Sequence, residues 1–421
     1  FATHRIQIEQ LCNNRCVWAH ILMLARQIKV EYTHRVLFTK DAFSSLNTTV
    51  RDVLDLTHDG RKPKVLVFID DRVALANPQL ADQVQSYAAA HADAFNLTAE
   101  PFILPGGEAC KNEFRLVEQC WKAINEAGLD RHSYVFVIGG GAVLDLVCFA
   151  AATAHRGIRH IRFPTTTLSQ GDGGVGVKNG VNYVGKKNWV GSFAVPYAVV
   201  NDFAFLDTLP ERERRNGIIE AIKVALIRDA AFFNELEAMG DALARLESPA
   251  LERLIQRSAE LHVEHISTGG DPFEMGSARP LDFGHWAAHK LEQVSQFSVA
   301  HGEAVAIGMA VDLLYSVKRG ILQASTAERI ISLIERIGFA IYAPHLLEKN
   351  ARGELTILAG LEEFREHLGG ELTITLVPEI GKKLEVHEMD RELIVEAVKD
   401  LRERNAGKPL PFVQHLLAHG G

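Results

Sequence analysis

Three histidines lie close together in the second half of the chain. His285 and His289 occupy the stretch LDFGHWAAHK, Leu281 to Lys290, and His301 follows in AHGEAVAIGMA. A spacing of four residues places His285 and His289 on the same face of a helix, so that both imidazoles can reach one point. Imidazole nitrogens bind divalent metals and hydrogen-bond to anions. The spacing therefore predicts a site for a metal or an anion.

A glutamate and a lysine interrupt an otherwise apolar helical segment, GIIEAIKVALI. Glu220 and Lys223 lie three residues apart and point the same way. Two charges on a buried face are costly unless they are paired or bind a metal. Taken alone, this segment fits an intrahelical ion pair as well as a site. Together with the three histidines, Glu220 makes a metal site of two imidazoles and a carboxylate plausible.

Glycines 139–141 follow an apolar run and precede a helical pattern in IGGGAVLD. Backbone amides and the positive end of a helix can meet a pyrophosphate at such a turn. The usual dinucleotide fingerprint is incomplete, because Leu144 stands at the third glycine and no acid follows about twenty residues later. Asp70 and Asp71, at the end of an earlier run, are the candidate ribose ligands. The alternative is a tight turn that needs glycine for its backbone alone.

The segment 165–188, TTTLSQGDGGVGVKNGVNYVGKKN, combines glycines with Lys178, Lys186 and Lys187. Val177 separates the last glycine from the lysine, so a nucleotide triphosphate loop is not supported. Glycines that allow close backbone approach, with lysines beside them, suit a single phosphate or another anion. The alternative is a solvated flexible loop.

The hydrophobic pattern predicts an α/β region followed by helices. The runs KVLVFID at 64–70 and SYVFVIGGG at 133–141 are typical of buried parallel strands, and IRHIRFP and YAVVND continue the series. Helical patterns separate these runs, which places a ligand crevice at the carboxyl ends of the strands. From TLPERERRNG, 208–217, the pattern is helical, and only LTITLVPEI at 372–380 resembles a strand.

Composition excludes several classes of protein. The 421 residues are 47% hydrophobic and 23% charged, with a formal charge of -8 and no basic stripe that would bind nucleic acid. The longest uncharged apolar stretches, such as LVCFAAATA at 146–154, are about half of the roughly 20 residues that a membrane span needs. We therefore expect a soluble protein without nucleic-acid or membrane partners.

Five cysteines, an odd number, indicate a reducing compartment rather than a disulfide framework. Cys12, Cys16 and His20 are spaced by four, but no fourth metal ligand follows, and an amphipathic helix with buried thiols is favoured. The chain opens on Phe1, so we expect its natural beginning, with any targeting signal, to lie upstream. The cytoplasm is the expected location.

Six ordered motifs, GGGAVLD, PTTTLSQGDGGVGVKNGVN, KKN, IIEAIK, DFGHWAAH and HGEAVAIGM, resemble the 3-dehydroquinate synthase superfamily of sugar phosphate cyclases. The resemblance spans roughly residues 105–310. It implies an α/β NAD-binding domain, residues 1–208, and an all-α metal- and substrate-binding domain, residues 209–421, in a dehydroquinate synthase-like fold. It also implies a cleft between the two domains and a homodimer.

The resemblance assigns roles residue by residue. The ligands of a zinc or cobalt ion would be Glu220, His285 and His301, and His289 would hydrogen-bond near the substrate phosphate. The positions that match family residues holding or flanking the substrate are Asp172, Lys178, Asn188, Lys223, Asp282 and, from the partner subunit, Arg156. The positions that match NAD contacts are Asp70, Gly106, Gly107, Glu108, Lys111, Gly140, Gly141, Asp145, Thr165, Thr166, Lys178, Lys187, Phe205, Leu206 and Thr208.

The family's reaction suits these residues. The metal binds two adjacent substrate oxygens, NAD accepts a hydride, and the resulting ketone acidifies the neighbouring carbon so that phosphate leaves. Reduction returns the hydride, and an intramolecular aldol step closes a carbocycle, so NAD is recycled. The lysines neutralise the phosphate and the enolate.

Departures from the family pattern bear on the substrate. A lysine and an arginine that hold the carboxylate in dehydroquinate synthases align with Glu264 and Ala278, and a common asparagine is Asp282. Losing two charge-assisted hydrogen bonds, at about 1.5 to 3 kcal/mol each, disfavours a carboxylated substrate. RPLDFGH and FREHLGGELTITL resemble the branch that cyclises sedoheptulose 7-phosphate, including 2-epi-5-epi-valiolone synthases, although His289 replaces the proline expected there. His367 is a candidate for a hydroxyl contact.

The sequence thus favours a phosphate-eliminating cyclase, a carbon-oxygen lyase, acting on sedoheptulose 7-phosphate or a close relative. The first alternative is 3-dehydroquinate synthase itself. A metal-dependent, NAD-linked polyol dehydrogenase is the second alternative, and the lysine-rich GDGGVGVKNG segment disfavours it because those lysines suit a phosphorylated substrate.

Overall fold

The computed structural model describes residues 26–56, 60–269, 273, 282–367 and 370–408, with the backbone alone at His367. Contacts between Cα atoms divide the chain into Phe1–Thr33 and His34–Gly421, and every helix and strand below lies in the second unit. Its strands are β1 (Val36–Thr39), β2 (Lys64–Asp70), β3 (Asn96–Leu97), β4 (Phe102–Leu104), β5 (Tyr134–Gly139), β6 (Arg159–Pro164), β7 (Lys178–Tyr183), β8 (Lys186–Phe193), β9 (Ala198–Asp202), β10 (Ile374–Glu379) and β11 (Lys382–Val386).

A parallel sheet with the order β1-β9-β6-β5-β2-β3 dominates the first half, and β4 extends it beside the second half of β2. Successive side chains of a strand point to opposite faces. Leu66 and Phe68 of β2 accordingly pack in one apolar cluster, and Val65 and Val67 pack in another on the opposite face. A sheet covered on both faces explains why its strands are apolar throughout instead of alternating.

The helices are α1 (Thr49–Asp52), α2 (Asp71–Ala76), α3 (Leu80–Ala90), α4 (Phe114–Glu126), α5 (Gly141–Thr153), α6 (Ala204–Asp207), α7 (Glu211–Asn216), α8 (Ile218–Arg228), α9 (Ala230–Ala238), α10 (Gly240–Ala244), α11 (Ser248–Thr268), α12 (His285–Val294), α13 (His301–Lys318), α14 (Ala324–Ile337), α15 (Ala359–His367) and α16 (Arg391–Arg404). Among the described residues, none of these helices has the length and apolar character that crossing a bilayer requires.

Helices predominate after β9, and α8 and α13 run through the centre of their apolar cluster. The expected α/β region followed by a helical region is confirmed. The strands expected at KVLVFID, SYVFVIGGG, IRHIRFP and YAVVND are present as β2, β5, β6 and β9.

Two parts of the structure differ from the sequence prediction. The segment LTITLVPEI forms half of an antiparallel hairpin, β10 with β11, because the polar sequence KKLEV supplies a second strand. The segment predicted as an anion-binding or flexible loop contains one π-helical turn, Ser169–Gly173, and then the antiparallel pair β7 and β8. Its glycines permit close strand contact, since a Cβ atom at Gly180 would lie 2.8 Å from the Val190 carbonyl oxygen. The division at residue 208 stays a prediction.

Candidate active site

Three helix beginnings bring the expected metal ligands together. Glu220 is the third residue of α8, His285 is the first residue of α12, and His301 is the first residue of α13. The Glu220 Oε1 atom lies 3.7 Å from His285 Nε2 and 3.4 Å from His301 Nε2. All three side chains can therefore offer one ligand atom to a common ion, and they are the set that the family resemblance implies.

The donors fit a zinc or cobalt ion. Neither oxygen of the buried Glu220 carboxylate accepts a hydrogen bond of ordinary geometry from a described residue, although the Lys223 ammonium lies against one of them. The Nδ1 atom of His285 is 3.0 Å from the Phe283 carbonyl oxygen, to which it donates when Nε2 is left as the metal-binding atom. One carboxylate and two imidazoles are a donor set that suits zinc and cobalt.

Two glycines let α12 begin directly against α13. Gly284 adopts a left-handed backbone with φ of +77°, and a Cβ atom there would lie 2.6 Å from the Met309 backbone nitrogen. A Cβ atom at Gly308 would lie 2.1 Å from the Gly284 carbonyl oxygen. Larger residues would separate the two helices, and with them His285 and His301.

A buried acid on α13 holds the start of α12. Asp312 accepts hydrogen bonds from the Gly284 backbone nitrogen at 3.0 Å and from Trp286 Nε1 at 2.8 Å. Burial raises the pKa of Asp312 to about 7, although both hydrogen bonds act in the opposite direction. The residues on either side of His285 are thus tied to α13.

Charge is divided unevenly among the ligands. Burial would raise the pKa of Glu220, but Lys223 and the two histidines hold that pKa well below its ordinary value. Burial and the positive charge of Lys223 lower the pKa of His285 well below its usual range. Burial alone would lower the pKa of His301, yet its contacts with Glu220 and Glu292 raise it to about 9. These shifts favour an ionised Glu220, a neutral His285 and a protonated His301.

Lys223 lies at the centre of the charged cluster. It is buried, as is Glu220, and the two side chains form the ion pair that their spacing suggested. Burial would lower the pKa of Lys223, but the negative charges of Glu220 and Asp172 raise it. The sequence left open an ion pair or a metal ligand beside a lysine, and the geometry allows Glu220 to be both.

Asp172 has a partner that the sequence analysis missed. Its Oδ1 atom lies 2.5 Å from Nδ1 of His262, on α11. Burial would raise the pKa of Asp172, but His262 and Lys223 lower it. Glu264 was expected near the substrate carboxylate, but its side chain is exposed, because two residues along a helix rotate the side chain by about 200°. Glu264 therefore points away from Asp172, whereas His262 contacts it, and the place of Glu264 near a substrate carboxylate stays a prediction.

A buried cation shapes the segment that carries Asp172. Arg162 of β6 donates hydrogen bonds to the carbonyl oxygens of Gly174 at 2.9 Å, Gly176 at 2.8 Å and Lys178 at 3.1 Å. A fourth bond, 2.6 Å long, reaches Asn179 Oδ1. These bonds connect the central sheet to the start of β7. An arginine in a buried strand is unusual enough that the sequence could have signalled it.

The expected dinucleotide contacts gather at the carboxyl edge of the sheet. Asp70 ends β2, Gly139 ends β5, and Thr165 directly follows β6. A Cβ atom at Gly106 would lie 2.1 Å from Asp70 Oδ1, so only glycine fits beside that acid. At Gly141, the first residue of α5, nothing lies within 4 Å of such a Cβ atom. The Thr165 hydroxyl is buried and has no hydrogen-bond partner among the described residues.

These features fit a pyrophosphate, because the amino end of α5 opens into space beside an unused hydroxyl. Nearby side chains are tied to one another. Lys111 Nζ lies 2.6 Å from Asp145 Oδ2 and also donates to Asn188 Oδ1. The Nζ atom of Lys187 lies 3.8 Å from Oε1 of Glu108. The same Lys187 charge lowers the pKa of Glu292, for which burial has the larger and opposite effect. The charge of Lys187, on β8, thus acts both on Glu108 at the dinucleotide edge and on Glu292 beside His301.

The other expected NAD positions occupy the same edge. Gly107 has a left-handed backbone with φ of +78°, and Gly140 precedes α5. Thr166 and Ser169 share a hydrogen bond of 2.8 Å between their hydroxyls. Phe205 and Leu206 are buried in α6, and Thr208 accepts a hydrogen bond of 3.0 Å from Asn77.

The remaining expected residues lie at varying distances from the metal ligands. The His289 ring centroid is 5.4 Å from that of His285 and 6.1 Å from that of His301. Asp282 lies directly before α12, and its charge contributes to raising the pKa of Lys223, against the larger effect of burial. Arg156 is exposed in a strained turn with φ of 62°. Lys178 is exposed at the start of β7.

Other expectations lie outside the described residues. The His367 side chain, Ala278, Cys12, Cys16 and His20 belong to this group.

Comparisons with known proteins agree with this geometry. Residues 101–216 match the family described as 3-dehydroquinate synthase N-terminal, and residues 217–355 match the one described as 3-dehydroquinate synthase C-terminal. A 3-dehydroquinate synthase from Halorhodospira halophila (strain DSM 244 / SL1) is 36% identical over 312 residues, which are 72% of this chain and 86% of that protein.

Two solved structures share the fold. One is the 2-epi-5-epi-valiolone synthase ValA from Streptomyces hygroscopicus subsp. jinggangensis 5008 with NAD+ and Zn2+ bound. It has a TM-score of 0.79 and 26% identity, over 90% of this chain and 100% of that one. The other is a 2-deoxy-scyllo-inosose synthase with carbaglucose-6-phosphate, NAD+ and Co2+. Its TM-score is 0.69 and its identity is 22%, over 87% of this chain and 96% of that one.

Proposed function

Because the chain belongs to the 3-dehydroquinate synthase superfamily of sugar phosphate cyclases, we propose that it converts sedoheptulose 7-phosphate, or a close seven-carbon relative, into a cyclitol. The reaction would eliminate phosphate, which makes the enzyme a carbon-oxygen lyase. The observation that carries the proposal is the buried cluster of Glu220, His285 and His301 with Lys223 beside it. A divalent metal site next to a buried lysine suits a substrate that develops negative charge beside a metal-bound oxygen.

The two cofactors would occupy the sites whose chemistry fits them. Glu220, His285 and His301 would hold zinc or cobalt, and the edge formed by Asp70, Gly141 and Thr165 would hold NAD. When bound, the metal polarises a substrate hydroxyl and NAD takes up and returns a hydride, which no side chain can supply. The ValA structure, which contains NAD+ and Zn2+, supports this pairing of cofactors.

The chain's own residues would manage charge and protons. The Lys223 ammonium, buried between Glu220 and Asp172, would stabilise the enolate that precedes phosphate loss. The ionised Asp172, held by His262, would accept or hold a proton beside the reacting carbon. Lys178, Lys187 and His289 would bind the leaving phosphate.

The substrate choice follows from the charges around the cluster. His262, the α11 residue that faces the site, is already paired with Asp172, and Asp282 adds an acid near Lys223. A substrate carboxylate would therefore meet no additional cation from α11.

The second candidate is 3-dehydroquinate synthase, which the relative at 36% identity favours. Its substrate differs by carrying a carboxylate. The test supplies purified, metal-loaded enzyme and NAD with each sugar phosphate separately, and it measures phosphate release and the proton NMR spectrum of the product. We expect release and a carbocyclic product from sedoheptulose 7-phosphate. Release from the carboxylated acid alone would establish the second candidate instead.

We also propose a homodimer in which Arg156 completes the partner's site. The backbone at His155 and Arg156 is left-handed at both residues, with φ of 50° and 62°, and it exposes the Arg156 side chain. Strained backbone of this kind persists where it serves a function. We place the boundary between the NAD-binding domain and the metal- and substrate-binding domain after residue 208.

A further inference from the structure

His301 contacts a carboxylate with each of its two ring nitrogens. Its Nε2 atom lies 3.4 Å from Glu220 Oε1, and its Nδ1 atom lies 3.3 Å from Glu292 Oε2. To bind a metal, His301 must lose one ring proton, which leaves one protonated nitrogen and one lone pair. The carboxylate that takes the proton therefore decides on which side His301 can bind a metal.

Glu292 is well suited to accept that proton. It lies on α12 and is 7% exposed. Its Oε2 atom faces only one of the expected ligands, His301, at Nδ1. Glu220 Oε1 faces the Nε2 atoms of both His285 and His301. Of the two acids, Glu220 is the one left to bind an ion.

A second group of residues around His301 could also hold an ion. His289, Glu292 and His301 also bring their ligand atoms within 4.8 Å of one another, so an ion could instead occupy that group. In that arrangement His301 would bind through Nδ1, and the buried Glu220 would face protonated Nε2 and Lys223. The Nε2 lone pair of His285, whose Nδ1 atom donates to the Phe283 carbonyl oxygen, would then face Glu220 Oε1 at 3.7 Å with no cation between them. This repulsion between two lone pairs favours the first arrangement.

We propose that Glu292 is a positioning residue that accepts the Nδ1 proton of His301 and so presents Nε2 to an ion held by Glu220 and His285. The two histidines are then oriented by different acceptors, since His285 uses the Phe283 carbonyl oxygen. Such outer partners fix the tautomer and the ring orientation of a ligand. The inference rests on the metal site of the proposed function and not on its substrate.

The test measures zinc affinity without substrate, by competition between metal-free protein and a chromophoric chelator. Glu292→Ala should weaken zinc binding by about 10- to 100-fold. Glu292→Gln should weaken it less, because the amide oxygen can still accept the Nδ1 proton. Glu363→Gln is the matched control, because the exposed Glu363, on α15, pairs with Lys290 of α12, the helix that also carries Glu292. It should bind zinc like the unmodified protein.

Circular dichroism of the metal-free variants separates lost affinity from lost structure. If Glu292→Ala does not fold, Glu292→Gln still decides, because it should show weaker zinc binding and a changed visible spectrum with cobalt. Folded Glu292 variants with unchanged zinc affinity would overturn the proposal. So would zinc binding that survives Glu220→Gln but is abolished by Glu292→Gln, since the ion would then occupy the second group. Failure to convert sedoheptulose 7-phosphate alongside the expected affinities would refute only the proposed function.

Discussion

Replacing Lys223 by methionine tests the charge balance of the site. The substitution keeps the length of the side chain and removes its charge, so that Glu220, which is 2% exposed, loses its lysine partner. Breaking a buried ion pair from one side costs about 3 to 5 kcal/mol. At about 2 °C per kcal/mol for a chain of this size, the metal-free variant should unfold about 6 to 10 °C lower.

Zinc should reverse much of that loss. The ion places positive charge opposite Glu220, and the like charge of Lys223 no longer opposes it. Stabilisation by a ligand grows with its concentration relative to its dissociation constant. Added zinc should therefore raise the unfolding temperature of Lys223→Met more than that of the unmodified protein. Turnover should still be lost, because the lysine's charge toward the enolate is gone.

Differential scanning fluorimetry of metal-free and zinc-loaded protein measures both effects. The matched control is Lys318→Met, which breaks a surface pair with Asp400 at 2.7 Å and should cost less than about 1 kcal/mol. That control should respond to zinc as the unmodified protein does. If Lys223→Met unfolds within a degree of Lys318→Met, or if zinc does not restore it, the cluster is not balanced as described.

Three further results are expected. Gly141→Ala should fold normally, because its Cβ atom meets nothing within the chain, but it should lose NAD affinity in calorimetric titration because that atom occupies the space for the pyrophosphate. Gly106→Ala should instead lower the unfolding temperature, because its Cβ atom overlaps Asp70. Equal NAD affinity for Gly141→Ala and the unmodified protein would contradict a pyrophosphate at that position. The pKa of Asp312 is raised to about 7, so its contribution to stability is complete below about pH 4 and is lost as the pH rises through 7, by up to about 1.4 kcal/mol per pH unit. The free energy of unfolding in urea should therefore depend less steeply on pH in Asp312→Asn than in the unmodified protein. The same pH dependence in both proteins would refute this prediction. Co-expressed Arg156→Ala and Lys223→Met subunits should regain about a quarter of the phosphate release. Half of randomly paired dimers contain one subunit of each kind, and one of the two sites in such a dimer has both an intact arginine and an intact lysine. No recovery would argue against a shared site.

The residue types in the sequence indicate which side chains could bind a metal, but they do not show which of these side chains lie close together in space. The expected ligands lie in the first turns of three different helices, so no local pattern relates Glu220, His285 and His301. The family resemblance supplied the set, and the crossing of α12 and α13 at Gly284 and Gly308 explains why it assembles. The parallel strands were easier to predict, because runs buried on both faces remain apolar along their whole length.

Helical phase explains what the sequence did not reveal. His262 contacts Asp172, and it lies two residues before Glu264, which turns the two side chains to opposite sides of α11. Glu292 lies seven residues after His285, two helical turns along, so the periodicity of α12 could have identified it. The sequence did not predict the hairpin of β7 and β8, because its glycines and lysines are typical of loops as well as of exposed strands.

The central claim is that one divalent ion is held by Glu220, His285 and His301. Anomalous diffraction at the cobalt edge, from a crystal soaked with Co2+ and NAD+, tests it directly. We expect one strong peak at about 2.0 to 2.2 Å from a Glu220 oxygen and from Nε2 of both histidines, with the dinucleotide on the carboxyl edge of the sheet. A peak on His301 Nδ1 between His289 and Glu292, or no peak at Glu220, would contradict the account.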